Sequence, residues 1–131
     1  DKRFGSQLLV AENAKKLGVS PNKIIESDVK QFINNDLENI FSDFNRVIIG
    51  GCDKETKIKI IEEFSKFLEK GDIIVLPIIT YEVLQKVSNC LREFNYETSI
   101  NLIQTFKGIT ISEGTRFEPN NPVFILKAKK K

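Results

Sequence analysis

Two apolar runs separated by one amphipathic stretch constrain this chain most. Arg46-Val47-Ile48-Ile49 stops at Gly50-Gly51, and Ile73-Ile74-Val75-Leu76-Pro77-Ile78-Ile79 is almost unbroken. Between them, Lys54 to Lys70 sets Ile58, Ile61, Phe64 and Leu68 on one helical face with Lys and Glu opposite, and Gly71 follows as a C-cap. Strand, helix, strand in that order is a βαβ unit, and runs this apolar read as parallel strands buried on both faces. Pro77 marks the end of the second strand, because proline cannot donate to a ladder. In open α/β sheets ligands lie outside the carboxyl ends of the strands. Glycine there lets a ligand approach the backbone. Gly50-Gly51 is therefore the expected floor of a cleft, unless it is an ordinary strand-to-helix turn.

The rest of the chain extends the alternation. A helix is expected over 6–17, closed by Gly18. Lys23-Ile24-Ile25-Glu26 reads as a short strand, Ser27-Asp28 as a turn or helix cap, and 32–41 as an irregular helix, with Asn34-Asn35-Asp36 capping its second half. Thr80 caps a helix to about Asn95, with Val83, Leu84, Val87, Leu91 and Phe94 on its inner side. Tyr96–Phe106 and Pro122–Ala128 read as two longer strands around a polar loop, Lys107–Asn121, and long loops are often functional. The order α-β-α-β-α-β-α-β-β implies one α/β domain over 1–131: a mostly parallel sheet in three layers, with an antiparallel C-terminal strand pair at its edge.

Composition narrows the function classes. The 131 residues carry a net charge of +2, and four of the last five residues are lysines, so the remainder is mildly acidic. That argues against a nucleic-acid-binding face, and the lysines read as a frayed, solvated tail. No apolar run reaches the roughly 18 residues of a membrane span, and no secretory leader pattern is present, which points to the cytoplasm. Cys52 and Cys90 lie far apart, and there is no histidine to complete a metal site, so no metal is expected and both read as reduced thiols. Cys52 follows the glycine turn, where a helix start can lower a thiol's pKa, but no histidine is available to activate it as a nucleophile. With no methionine in the sequence, Asp1 is expected to be an internal or processed start.

Five segments carry a family resemblance. Asp43-Phe44-Asn45-Arg46-Val47-Ile48-Ile49-Gly50-Gly51 resembles the D-x-D-x-V-F-I-G-G pattern of the decarboxylating precorrin-6Y methyltransferases of cobalamin biosynthesis. Leu68-Glu69-Lys70-Gly71-Asp72-Ile73-Ile74-Val75 is similar to that family's L-K-P-G-G-R-I-V. Gly114-Thr115-Arg116-Phe117 with Asn121-Pro122-Val123-Phe124-Ile125 matches its G-T-x-(F/M) and N-P-V-F-I segments, and Ser27-Asp28-Val29 stands where Gly-Asp-Ala is usual. The resemblance covers nearly the whole chain and corresponds to the C-terminal two-thirds of a class I S-adenosylmethionine-dependent methyltransferase domain.

The resemblance implies a Rossmann-like fold, S-adenosylmethionine as methyl donor, and a corrinoid precursor that is methylated and loses the carboxyl group of an acetate side chain. The donor is already activated, so alignment and exclusion of water supply much of the rate and no nucleophile is required. It implies that Asp1, at the end of the second strand of the fold, accepts bonds from the donor's ribose hydroxyls, as a carboxylate can take two. Asp28 with the Val29 backbone lies beside the adenine, and Asp28 can cap a helix at the same time. Gly50 and Gly51 flank the cleft. Lys107 and Arg116 face the carboxylates of the substrate, or else are solvated loop charges. Tyr81 lines the cleft or packs as an amphipathic ring. The family's tetramers, formed through late strands, imply a homo-oligomer.

The chain departs from the pattern in two places. No Gly-x-Gly occurs, so the glycine-rich loop after the first strand is wanting, and with it the strand that would sit at the centre of the sheet. An unpaired central position leaves backbone groups that are costly when buried, so the sequence is expected to be a piece of a longer domain. Cys52-Asp53-Lys54 also replaces the Ser-Gly-Gly common after the turn. Two other readings stay open: a methyltransferase-like module without catalysis, kept for assembly, and a methyltransferase for another small molecule.

Overall fold

The computed structural model describes residues 1–35 and 44–131, which form two compact units, Asp1–Ser42 and Asp43–Lys131. The second half of the expected 32–41 helix, its Asp36 cap and the Asp43 that opens the strand motif lie outside the described residues.

The first unit holds α1 (Ser6–Lys16) and α2 (Val29–Asn35). α1 ends as its sequence predicts. Gly18 takes φ 68°, its N–H reaches the Lys15 carbonyl at 3.2 Å, and the Val19 N–H reaches Ala14 at 3.0 Å, which is the paired Schellman closure. The expected strand at Lys23–Glu26 does not form. Asp1 flanks that segment instead: its ammonium donates to the Ile25 carbonyl at 3.1 Å and its carbonyl accepts from the Ser27 N–H at 2.9 Å. This is the hydrogen-bond pattern of one parallel bridge around Glu26, and a single bridge is too short to make a strand.

The second unit holds β1 (Arg46–Ile48), α3 (Lys54–Phe64), β2 (Ile73–Ile78), α4 (Tyr81–Glu93), β3 (Tyr96–Ile103), β4 (Phe106–Ile111), β5 (Gly114–Pro119) and β6 (Val123–Lys130). Four strands make one sheet in the order β1-β2-β6-β3, with β1 parallel to β2 and β6 antiparallel to both of its neighbours. The closing strand is thus interior, and β3 takes the edge. Ile74, Leu76 and Ile78 alternate with Ile73, Val75 and Pro77; the first three are buried and the second three half-exposed, so β2 is fully covered on one face rather than on two. Leu76 faces Leu126 across the register, and both are wholly buried, as are Ile61, Val87, Leu91 and Ala128.

Pro77 does not end β2. Along a strand alternate residues present their N–H to opposite neighbours. Ile73 donates to Asn45 and Val75 accepts from Ile49, so the donorless nitrogen of Pro77 falls on the β1 side, where pairing has just stopped. Pairing with β6 continues through Pro77↔Ile125 to Ile78↔Phe124.

α3 is shorter than its periodicity implies, and three of the four residues of the expected inner face, Ile61, Phe64 and Leu68, are buried. Lys57, Ile60, Ile61 and Phe64 are buried while Ile58 is only partly covered, and the chain leaves the helix after Phe64. Thr80 occupies the N-cap position of α4, but its side chain makes no capping bond. The segment expected as a loop, Lys107–Asn121, is mostly a hairpin, β4 with β5. Its base is closed by Asn120, which donates from its N–H to the Thr105 carbonyl at 2.8 Å and from Nδ2 to the Thr105 hydroxyl at 2.9 Å.

The C-terminal lysines are not a frayed tail. Lys127, Lys129 and Lys130 lie in β6, opposite Ser99, Glu97 and Tyr96. Lys130 Nζ stands 4.7 Å from the centroid of the Tyr96 ring and donates to the Phe94 carbonyl at the end of α4 at 2.9 Å. The Ser65 hydroxyl donates to Tyr96 Oη at 3.1 Å, and burial raises the phenol's pKa above its ordinary value. Positive charge at a helix C-terminus and over a ring face is favourable, and each contact contributes about 0.5–1 kcal/mol. Removal of residues 127–131 is therefore expected to abolish cooperative thermal unfolding followed by circular dichroism. An unchanged melting curve would restore the view of a solvated tail.

Candidate active site

The carboxyl ends of β1 and β2 form one rim, because the strands are parallel and in register from Arg46↔Ile73 to Ile48↔Val75. Gly50 and Gly51 follow β1 on that rim, and both are exposed. Gly51 is left-handed, with φ 67°, a conformation that L side chains rarely adopt, and a Cβ built there would meet nothing within 4 Å. Gly50 has ordinary φ, and a Cβ there would lie 3.8 Å from Pro77 Cγ, so its space, not its backbone, is what glycine keeps open. Ile79 and Tyr81 stand beyond β2, 68% and 63% exposed. The expected packing of the Tyr81 ring is thus not found; it projects from the first turn of α4.

The loop after Gly51 is fixed from α3. Asp53 caps the helix, accepting from the Thr56 N–H and the Thr56 hydroxyl at 2.8 Å each. Lys57 is buried at 6% exposure, and its ammonium donates to the Cys52 carbonyl and lies 3.8 Å from Cys52 Sγ. Sequence reasoning missed this residue. The available signal was the spacing Lys57, Ile60, Ile61, Phe64, an i, i+3, i+4, i+7 inner face with a cation at its first position.

In the first unit, Asp1 and Asp28 each meet a neighbouring base. The Asp1 carboxylate receives Arg3 Nε on both oxygens at 3.1 Å, Arg3 Nη2 at 2.5 Å and the Arg3 N–H at 3.0 Å. A carboxylate has about four acceptor positions, so a ligand hydroxyl there would share with or displace Arg3. Asp28 accepts from the Lys30 N–H at 2.8 Å, the bond of a helix cap to α2, and its other oxygen lies 3.7 Å from Lys2 Nζ. Val29 is the first residue of α2.

Lys107 and Arg116 lie within the hairpin rather than bordering a loop. The register Lys107↔Glu118 and Ile109↔Arg116 puts Lys107, Ile109, Arg116 and Glu118 on one face. Arg116 is ion-paired with Glu118, and both are substantially exposed. Phe106, Phe117 and Pro119 share the opposite face, where both rings are more than half exposed. Among the described residues, no group of three or more Cys, Asp or Glu side chains is placed to hold a metal, and no helix is long and apolar enough to cross a membrane.

Comparison with known proteins shows what the chain is similar to. No family model matches the chain. A curated protein of Sulfurisphaera tokodaii, a probable cobalt-precorrin-6B C(15)-methyltransferase (decarboxylating), is 26% identical over 122 residues, covering 93% of this chain and 60% of its own length. The crystal structure of a precorrin-6y C5,15-methyltransferase from Geobacter metallireducens superposes with a TM-score of 0.78 at 24% identity, covering 99% of this chain and 66% of that one. A SAM-dependent O-methyltransferase from Thermotoga maritima superposes at 0.65 with 17% identity, over 99% of this chain and 48% of that one. The fold is that of the class I methyltransferases, and the motif resemblance to the decarboxylating precorrin methyltransferases is matched by a curated relative in sequence and by a solved structure in fold. The chain spans about three-fifths to two-thirds of the length of these precorrin relatives.

Two expectations follow from the side chains. Burial raises the Cys90 thiol to about 11, whereas Cys52 is only half-buried. Alkylation at pH 8 followed by mass spectrometry is expected to label Cys52 alone in the folded chain; labelling of Cys90 at a similar rate would contradict the packing of α4.

The Glu26 carboxylate is held below its ordinary pKa, first by the Gln7 N–H at 3.1 Å, with help from the Ser6 hydroxyl. Its folded value is depressed, so its contribution to stability is present above the ordinary carboxylate range and is lost as pH falls through the folded value. Amide exchange at Gln7 is expected to speed up on acidification below about pH 4.5 beyond its intrinsic change, and Glu26→Gln to remove that extra dependence.

Proposed function

We propose that the chain forms part of an S-adenosylmethionine-dependent methyltransferase that methylates and decarboxylates a corrinoid precursor in cobalamin biosynthesis. One observation carries the reading: the curated precorrin relative matches 93% of the chain. The Gly-Gly turn at the carboxyl tip of a parallel strand, where ligands of open α/β sheets sit, supports it. S-adenosylmethionine would supply a methyl group on a sulfonium, already activated.

The residues present suit that donor. In the second unit, Gly51 leaves open space over the rim of β1. In the first unit, taken by itself, Asp1 and Asp28 carry carboxylates that can accept from the hydroxyl or amino groups of such a donor. On the acceptor side, Lys107 and Arg116 share a face that suits a substrate rich in carboxylates. Among the described residues β1 pairs with β2 alone, and its open edge is the place this reading assigns to the strand preceding a glycine-rich loop. A homo-oligomer and a cytoplasmic setting fit the same reading.

With no Gly-x-Gly in the sequence, calorimetry on the 131-residue chain is expected to find no micromolar affinity for S-adenosylmethionine. A millimolar dissociation constant, about −4 kcal/mol, is the expected scale. Amide-resolved NMR with S-adenosylhomocysteine is expected to shift Val29, Gly50 and Gly51, and Asp28→Ala to weaken the titration. Micromolar binding would overturn the role given to the missing loop; unmoved amides at all three positions would overturn the donor site itself.

A further inference from the structure

We infer that Lys57 is a positioning residue for the cleft: its buried ammonium sets the Gly50–Cys52 loop from inside α3. An inner position of an amphipathic helix ordinarily takes an aliphatic side chain, because a buried charge is costly unless it is bonded. Here the i, i+3, i+4, i+7 face Lys57, Ile60, Ile61, Phe64 begins with a cation at 6% exposure. Among the described residues its ammonium meets one residue of the rim loop, at the Cys52 carbonyl and, at 3.8 Å, the Cys52 sulfur.

The geometry explains why a lysine is suited. Helical side chains lean toward the helix N-terminus, so a long side chain in the first turns reaches back over the chain that enters it. Cys52 precedes the Asp53 cap and follows Gly51, whose left-handed backbone has no Cβ to fix it. Asp53 fixes the helix side of the loop, the Ile49 N–H bond to Val75 at 2.9 Å fixes the strand side, and Lys57 holds the residue between Gly51 and Asp53. Exposed ion pairs such as Lys54–Glu55 hold nothing comparable, since water competes for them. The inference rests on the proposed donor site only for its consequence to binding; the restraint on the loop stands apart from it.

Lys57→Met keeps most of the apolar stem and removes the charge, and Lys57→Arg keeps a donor. Amide exchange at Gly51, Cys52 and Asp53 is expected to rise about tenfold in Lys57→Met, the effect of losing one charge-assisted hydrogen bond. Exchange in β2 and β6 should stay as in the parent chain, and Lys57→Arg should restore part of the protection. Cys52→Ser, which keeps the carbonyl, should leave loop exchange unchanged. Unaltered exchange at the loop in Lys57→Met, or a rise spread equally over β2, β6 and α3, would overturn the inference. In the NMR titration with S-adenosylhomocysteine, smaller Gly50 and Gly51 shifts in Lys57→Met support it. If the parent chain shows no shifts, the donor site fails while the exchange result still decides the role of Lys57.

Discussion

The antiparallel insertion of β6 between β2 and β3 is the interaction on which the second unit depends. Leu126 and Ala128 lie at the centre of the sheet, wholly buried, and meet Leu76 and Ile74 on one side and Ile100 and Thr98 on the other. Burial of a leucine side chain stabilises by about 1.5–3 kcal/mol, and these contacts join segments from residues 73 to 130. The sheet of the second unit is therefore continuous only with the last strand in place between β2 and β3. Lys130 adds a charge over Tyr96 and at the end of α4, which ties the helix that covers the sheet to the strand that completes it.

Local signals made much of this legible. The apolar runs at Arg46 and Ile73, the Gly18 closure and the helix ending near Asn95 could be read because each is decided within a few residues. What failed was decided at longer range. Lysines at 127–131 look solvated in isolation, yet a strand with one charged face takes lysine on alternate positions while Leu126 and Ala128 fill the other. Lys23–Glu26 has strand-like residues but, among the described residues, only Asp1 bonded beside it. Pro77 looked like a terminator because sequence does not say which neighbour a missing donor faces. The polar stretch 107–121 hid a hairpin because its alternation separates charge from phenyl rings rather than core from solvent.

The candidate site was legible by resemblance more than by chemistry. Asp28 is a helix cap in fact, Asp1 is engaged by Arg3, and Arg116 is engaged by Glu118, so these three predicted ligand groups already have partners. These partners differ in strength. Exposed pairs contribute little and exchange readily with a ligand, whereas the Lys57–Cys52 contact is sheltered from water. The loop of the second unit is thus held from inside, while the polar groups of the first unit keep exchangeable partners.

The hairpin β4–β5 carries the last step. An isolated two-stranded ribbon is marginal in water, and this one has exposed side chains on both faces. Its faces are chemically distinct: Lys107 and Arg116 on one, Phe106 and Phe117 on the other. Charged and apolar contacts would thus fall on opposite sides of the same ribbon. Gly108 lies on the phenyl side of the ribbon, opposite Phe117. A Cβ there would come within 3.2 Å of Thr115 Cγ2, closer than side chains ordinarily pack, so glycine lets the Thr115 side chain keep its place across the two strands.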